Sequence, residues 1–136
     1  MPSRRALDRL LRDAIYHARS GVAVTAGGAQ VAATVSSALR DLPGDTRVYC
    51  GHEYTLANIK FAQTIEPDNA ALKARAAQAA KQIADGQWTI PTTIDEEKAA
   101  NPFLRADVAD VAKLVGLAGK PAAAVFAEIR ERKNKF

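Results

Sequence analysis

One stretch of the sequence, residues 46–50, has the residue types of a β-strand, whereas most apolar residues elsewhere recur at helical spacing. Thr46 and Val48 are β-branched, and a glycine follows the stretch at position 51. A strand needs paired neighbours to be stable in water, and the one other short candidate, residues 20–28, fits either a strand with a turn or a linker. We therefore predict a mainly α chain with a short β remnant.

Helical patterns cover most of the remaining chain, and glycine and proline separate them. The longest pattern is rich in alanine, with Asp68 as its predicted cap and Gly86 just past its end. Thr55 is the predicted cap of an earlier helix, and Thr93 with Glu96 fits a capping box, in which each side chain satisfies a free backbone N–H. The predicted helices are residues 4–19, 30–42, 55–65, 68–84, 93–100, 107–115 and 121–133.

Composition limits the class of protein. The chain has 136 residues, about one domain, and no apolar run approaches the roughly 18 residues that cross a bilayer. We expect a cytoplasmic protein without membrane contact. The only cysteine, Cys50, excludes an internal disulfide. The formal net charge of +4 is small and charges of both signs are interspersed, so nucleic acid is not a favoured partner.

A histidine follows the predicted strand at its carboxyl end, the edge of an open α/β sheet where ligands and catalytic groups collect. Considered alone, His52 fits either a satisfied structural side chain or a metal ligand. Cys50 lies two residues earlier and would face the same side of a strand, which allows a Cys–His nucleophile. The default interpretation of Cys50 is a buried, inert thiol in an apolar strand.

The chain closes with a basic stretch that contains Arg130, Arg132, Lys133 and Lys135. Arg130 and Lys133 are three residues apart on a predicted helix and therefore share a face, where an arginine fork and a lysine point charge could hold carboxylates. The same residues also fit a solvated basic helix end that complements the helix dipole. The acidic run 95–97 is best interpreted as first-turn charges of a helix.

Four ordered blocks of the sequence carry a resemblance to a known family. They are LPGDTRVYCGHEYT at 42–55, EPDNA at 66–70, EEKAANPFLR at 96–105 and RERKNKF at 130–136. From about Leu39 to Phe136 the chain resembles the hydroxyacylglutathione hydrolase, or glyoxalase II, family. The resemblance implies a metal-dependent thioesterase of the metallo-β-lactamase superfamily, which hydrolyses S-D-lactoylglutathione to glutathione and D-lactate in methylglyoxal detoxification.

The resemblance also implies roles for individual residues. His52 matches the family's last metal-ligating histidine, and Tyr54 matches a tyrosine that contacts glutathione. Arg130 and Lys133 match the basic pair that holds the carboxylates of glutathione. The family's Thr-His-x-His-x-Asp-His motif is absent, and two histidines are too few for a binuclear zinc, iron or manganese site. We therefore predict that the chain alone retains no metal pair and is not catalytic.

By the resemblance, the chain divides into three parts. Residues 1–28 form an unmatched helical segment, residues 29–66 a remnant of the metallo-β-lactamase domain with its last strand, and residues 67–136 a helical glutathione-binding domain. Two functions are compatible with this division. The chain is either the truncated C-terminal part of a hydroxyacylglutathione hydrolase, which binds glutathione or its thioester and needs a complementary N-terminal half, or a non-enzymatic module whose basic C-terminal helix binds an anionic partner.

Overall fold

The computed structural model describes residues 37–50 and 52–136, and helices make up most of these residues. The elements are β1 (Arg47–Val48), α1 (Thr55–Ile65), α2 (Ala70–Ala84), β2 (Thr92–Thr93), α3 (Ile94–Ala100), a 3-10 turn (Pro102–Leu104), α4 (Ala109–Leu114) and α5 (Ala122–Lys135). Among these helices, none combines the length and apolar character that a bilayer crossing needs. The predicted mainly α chain with a short β remnant is confirmed.

The strand prediction is correct in place but too long. β1 covers only Arg47 and Val48, so Tyr49 and Cys50 lie outside it. It pairs antiparallel with β2, with Arg47 opposite Thr93. The partner candidate expected from the sequence, residues 20–28, lies outside the described residues, as do predicted helix 4–19 and most of predicted helix 30–42.

Two clusters of buried side chains form the core, and α1 contributes to both. The larger cluster joins α1 to the region from Ala106 to α5, and it consists of Phe61, Ile65, Ala106, Val111, Ala112, Val115, Val125, Phe126 and Ile129. The smaller cluster joins α1 to α2 and consists of Ile59, Ala62, Leu72 and Ala79. Helix α1 therefore connects the two clusters.

The start of α2 differs from the prediction. Its N-cap is Asn69, whose Oδ1 accepts a hydrogen bond from the backbone N–H of Leu72 at 3.0 Å. The Asn69 amide also donates to the carbonyl of Ala99 at 2.9 Å. Asp68, the predicted cap, is therefore the wrong residue, because Asn69 satisfies the helix end and ties it to α3 at the same time. Gly86 ends the helix as predicted, with a φ of 71°.

The caps of α1 and α3 also test predictions made from the sequence. The capping box of α3 is confirmed, since Glu96 N–H donates to Thr93 Oγ1 at 3.2 Å and Thr93 N–H donates to Glu96 Oε2 at 2.8 Å. The cap predicted for α1 is wrong. Its N-cap is Tyr54, without a side-chain capping bond, and the hydroxyl of Thr55 instead lies 2.6 Å from that of Thr89.

Residues 37–50, which we call the front segment, attach to the beginning of α3 through the backbone. The N–H of Ile94 donates to the carbonyl of Thr46, and that of Asp95 donates to the carbonyl of Gly44, both at 3.0 Å. These bonds use N–H groups at the helix start that have no partner within the helix. None of the side chains of the front segment is buried.

Candidate functional site

The basic residues at the end of α5 fall into two groups with different surroundings. Arg132 and Lys135 are exposed, and each pairs with a glutamate one turn earlier at 2.8 and 2.9 Å. Arg130 is only 7% exposed, and Lys133 is half-buried. Arg130 and Lys133 therefore face the protein, whereas the other two cations lie on the solvent side and are neutralised locally.

Aromatic rings surround the ammonium group of Lys133. Its Nζ lies 4.9 Å from the centroid of the Phe61 ring and 5.4 Å from that of Phe136. The two rings meet edge to face, with their centroids 5.7 Å apart. Cation–π attraction at these distances holds the ammonium group in place without an anion. The Lys133 side chain is thus fixed by α1 and by the chain end.

The electrostatic state of this pair favours an anionic ligand. Burial, and secondarily the charge of Arg130, lowers the pKa of Lys133, and burial also lowers the pKa of Arg130. Within residues 37–50 and 52–136, Lys133 has no carboxylate partner at ion-pair distance. A carboxylate placed here would offset both the desolvation and the repulsion between the two cations.

His52 and Tyr54 lie in the loop that precedes α1, and both side chains are exposed. Their rings stack with centroids 5.0 Å apart and an interplanar angle of 24°. Tyr54 is 55% exposed. The loop therefore presents two adjacent rings to the outside.

Helix α1 relates the loop to the basic pair. Tyr54 is the N-cap of α1, and Phe61, the ring under Lys133, lies seven residues further on. Seven residues are about two helical turns, so the two positions share one side of the helix roughly 10 Å apart along its axis. Tyr54 and the ring beside Lys133 therefore lie on the same side of α1.

Cys50 differs from both of its sequence interpretations. It is exposed and lies outside β1, so the expectation of a buried thiol in an apolar strand is wrong. The strand geometry that would place Cys50 and His52 on one side is also not present, because β1 ends at Val48. The Cys–His interpretation loses the geometric argument on which it depended.

His52 can serve as a metal ligand only together with other ligating side chains. In the part of the chain that the structure describes, no group of three or more His, Cys, Asp or Glu side chains is placed to hold a metal ion. These residues by themselves do not fit a binuclear centre, which requires several such ligands fixed around both ions. The role of His52 as a metal ligand therefore stays a prediction.

Comparisons with known proteins show the family of the chain. The sequence profile described as "Hydroxyacylglutathione hydrolase C-terminus" matches residues 53–136. The chain belongs to this family. The match includes Tyr54 and the whole of α5, and the helical domain of the structure is thus the C-terminal domain of hydroxyacylglutathione hydrolases.

Curated relatives support the same assignment. The chain is 67% identical over 96 residues to a hydroxyacylglutathione hydrolase of Rhodopseudomonas palustris strain BisB5, a match that covers 71% of this chain and 38% of the relative. It is 59% identical over 97 residues to the protein of that name from Nitrobacter hamburgensis, and 57% over 97 residues to that from Bradyrhizobium sp. strain ORS 278, with the same coverage. The matched region thus spans 38% of the length of these relatives.

The aromatic part of the site was not predicted from the sequence. Phe136 could have been found, because it lies three residues after Lys133 on a predicted helix end and such pairs are neighbours. Phe61 carries no local signal, since its helix is separated from α5 by more than half of the described chain. Its aromatic ring at the i+7 position from Tyr54 is recognisable only once the two helices are known to meet.

Proposed function

We propose that this chain is the glutathione-binding C-terminal part of a cytoplasmic hydroxyacylglutathione hydrolase. The observation that carries the proposal is the inward-facing pair Arg130 and Lys133, in which the Lys133 ammonium lies beside two aromatic rings and has no carboxylate partner among the described residues. Family membership supplies the ligand class. Glutathione has carboxylates that such a pair of cations can bind, in contrast to a neutral ligand.

The site residues have distinct roles in this proposal. Arg130 offers a planar guanidinium, and Lys133 a compact positive charge, for a carboxylate at one end of the tripeptide. Tyr54, at the N-terminal end of α1, contacts the ligand further along its length. Tyr54 and Phe61 lie roughly 10 Å apart along the axis of α1, and an extended tripeptide spans about the same distance.

Hydrolysis of the thioester needs residues beyond the described ones. We propose that the substrate is S-D-lactoylglutathione, that the products are glutathione and D-lactate, and that His52 contributes one ligand to a zinc, iron or manganese centre completed by an N-terminal half. Residues 29–66 would belong with that half and residues 67–136 would form the glutathione-binding domain. The chain alone would then bind the ligand and leave the thioester intact.

The test is a titration of the chain with S-methylglutathione, followed by NMR. Wild-type signals near Tyr54, Arg130 and Lys133 should shift, and Lys133→Ala should weaken the affinity about tenfold, since a hydrogen bond to a charged group is lost. Lys135→Ala is the matched control, because it removes the same charge from the same helix but only from an exposed pair with Glu131. Equal affinity of both variants, or no shifts in the wild type, would contradict the proposal.

The basic C-terminal helix could instead serve as a docking end for an anionic macromolecule. The geometry supports this less well, because Arg132 and Lys135 already pair with glutamates of α5. The two functions differ in their response to salt. Binding of DNA or an acidic protein that falls steeply with added salt, together with no binding of S-methylglutathione, would favour the docking function.

A further inference from the structure

The loop that carries His52 and Tyr54 is held by the residue between them. Glu53 Oε1 accepts a hydrogen bond from the backbone N–H of Thr89 at 3.2 Å and another from the Thr89 hydroxyl. The hydroxyl oxygen of Thr89 also lies 2.6 Å from that of Thr55, the first residue of α1. Thr89 is 2% exposed, so these polar contacts form in a site shielded from water.

Thr89 is itself fixed by α2. Arg75 Nη2 donates to the carbonyl of Thr89 at 3.0 Å, and Gln82 Nε2 donates to the carbonyl of Trp88 at 3.4 Å. Both donors belong to the long, regular helix whose Leu72 and Ala79 are buried in the core. The side chains of α2 therefore hold the extended segment that contains Thr89, and this segment in turn holds the loop.

The second oxygen of the Glu53 carboxylate adds to this argument. Glu53 Oε2 is buried and has no hydrogen-bond partner among the described residues. Burying a carboxylate oxygen without a donor costs free energy, and a buried group of this kind requires an explanation. An apolar side chain would fill the same space without that cost, whereas a carboxylate accepts the two Thr89 bonds most strongly.

We propose that Glu53, through Thr89, is a positioning residue that fixes the placement of the His52 and Tyr54 rings. The proposal rests on the proposed function for the role of Tyr54 at the glutathione site, but its geometric part can be tested without ligand. Glu53 contacts neither the ligand nor the metal in this scheme. It determines where His52 and Tyr54 lie, because the hydrogen bonds of Glu53 fix the middle residue of this three-residue loop.

The experiment uses paired substitutions at Thr89. Thr89→Val keeps the shape of the side chain and removes the hydroxyl, whereas Thr89→Ser keeps the hydroxyl and removes a methyl group. Glu53→Ala is a second way to break the contact, and it leaves both core clusters intact. The first measurement is the NMR cross-peak between the rings of His52 and Tyr54, whose centroids are 5.0 Å apart, recorded without ligand.

The second measurement is the affinity for S-methylglutathione. We expect Thr89→Val and Glu53→Ala to lose the ring-to-ring cross-peak. We also expect both variants to bind S-methylglutathione more weakly, by up to about tenfold, because the free energy of the lost internal hydrogen bond to a charged group no longer holds the loop in place. Thr89→Ser should retain both. The emission of Trp88, the only tryptophan, reports whether the neighbouring segment has moved.

The outcomes separate the two proposals. An unchanged cross-peak in both Thr89→Val and Glu53→Ala overturns the positioning role, whatever happens to ligand binding. A lost cross-peak in these variants, in a protein whose wild type does not bind S-methylglutathione, supports the positioning role and rejects the proposed function. If Thr89→Val fails to fold, Glu53→Ala alone decides, because its side chain lies outside the core clusters.

Discussion

The helical domain and the front segment are built in opposite ways. Residues 55–135 contain both core clusters, and side chains such as Val125 and Ile129 are fully buried there. The front segment, residues 37–50, buries no side chain and reaches the rest of the molecule through β1, two further backbone hydrogen bonds to α3, and an ion pair between Arg40 and Asp107. One region is stabilised by apolar burial and the other by polar attachment.

The two regions therefore contribute different things: the helical domain stabilises the fold, and the front segment positions the loop that follows it. Burial of apolar area is the main source of folding free energy, so the helical domain should determine the stability of the described chain. The backbone bonds of the front segment determine register instead, because pairing Arg47 with Thr93 fixes where the following loop leaves the sheet. Substitutions should therefore have large effects in one region and small effects in the other.

The largest difference is expected for truncation of a core side chain. Ile129→Ala should lower the free energy of unfolding by about 2–5 kcal/mol, because it removes buried atoms and leaves a cavity. Leu42→Ala in the front segment, where the side chain is only half-buried, should cost under about 1 kcal/mol. Urea denaturation followed by circular dichroism measures both. Similar losses for the two variants would refute the contrast between the regions.

A buried ion pair within the helical domain gives the next effect. Arg105 Nε donates to Glu66 Oε2 at 2.9 Å, and Glu66 is 6% exposed. Arg105→Ala should cost about 3 kcal/mol, because it leaves a buried carboxylate without its counterion. Arg40→Ala removes the more exposed ion pair of the front segment, whose carboxylate side chain is 55% exposed, and should cost at most about 1 kcal/mol. Thermal unfolding of both variants measures the two costs. Equal costs would show that the burial of an ion pair does not determine its contribution to stability.

The capping box lies where the two regions meet. Thr93→Ala should cost about 1 kcal/mol, since the hydroxyl that accepts from the Glu96 N–H is lost at the start of α3. Thr93→Ser should retain most of this free energy. Hydrogen exchange provides a second readout, because the amides of β1 should exchange faster only in the alanine variant. Unchanged exchange in β1 would mean that the front segment does not depend on the cap.

A close approach in the front segment gives a smaller effect. A side chain added at Gly44 would overlap the carboxylate of Asp95, which is exposed and can move. Gly44→Ala should cost about 0.5 kcal/mol, and much of that cost should disappear in combination with Asp95→Ala, as coupled neighbours show. A double-mutant cycle in urea measures the coupling. If the two substitutions have additive effects on the free energy of unfolding, the overlap with Asp95 is not the cause of the cost of Gly44→Ala.

The smallest expected effect is a pH dependence of stability in the helical domain. Because burial lowers the pKa of Lys133 in the folded state below its ordinary value of 10.5, the unfolded chain binds more protons between the two values. Stability should then rise with pH through that window, as linkage requires. Lys133→Met, which carries no charge, should lack this rise. An identical pH profile for both proteins would contradict the lowered pKa.

Structural features that depend on a local pattern of residues could be predicted from the sequence. The bounds of α1 and the capping box at Thr93 follow from residue types a few positions apart, and both are confirmed. The cap of α2 was misplaced by one residue, because Asp68 and Asn69 are equally good caps and only the contact of Asn69 with the carbonyl of Ala99 distinguishes them.

Features that depend on remote contacts could not be predicted. The exposed position of Cys50 follows from the early end of β1, and the partner of β1 follows from the fold of residues 92–93 rather than from any alternating pattern. The resemblance to the family supplied Tyr54, Arg130 and Lys133 as site residues, and these roles stay predictions. It did not supply the ring of Phe61 or the contact of Glu53 with Thr89, which appear only in the folded chain.

The ring of Phe136 beside Lys133 has a practical consequence for work with the purified protein. Phe136 is the last residue of the sequence given, the residue is 64% exposed, and the lysine ammonium lies 5.4 Å from the centroid of its ring. An affinity tag or a fusion partner joined after Phe136 would begin within reach of the basic pair. A comparison of tags joined at either terminus would show how much of an apparent affinity belongs to the tag.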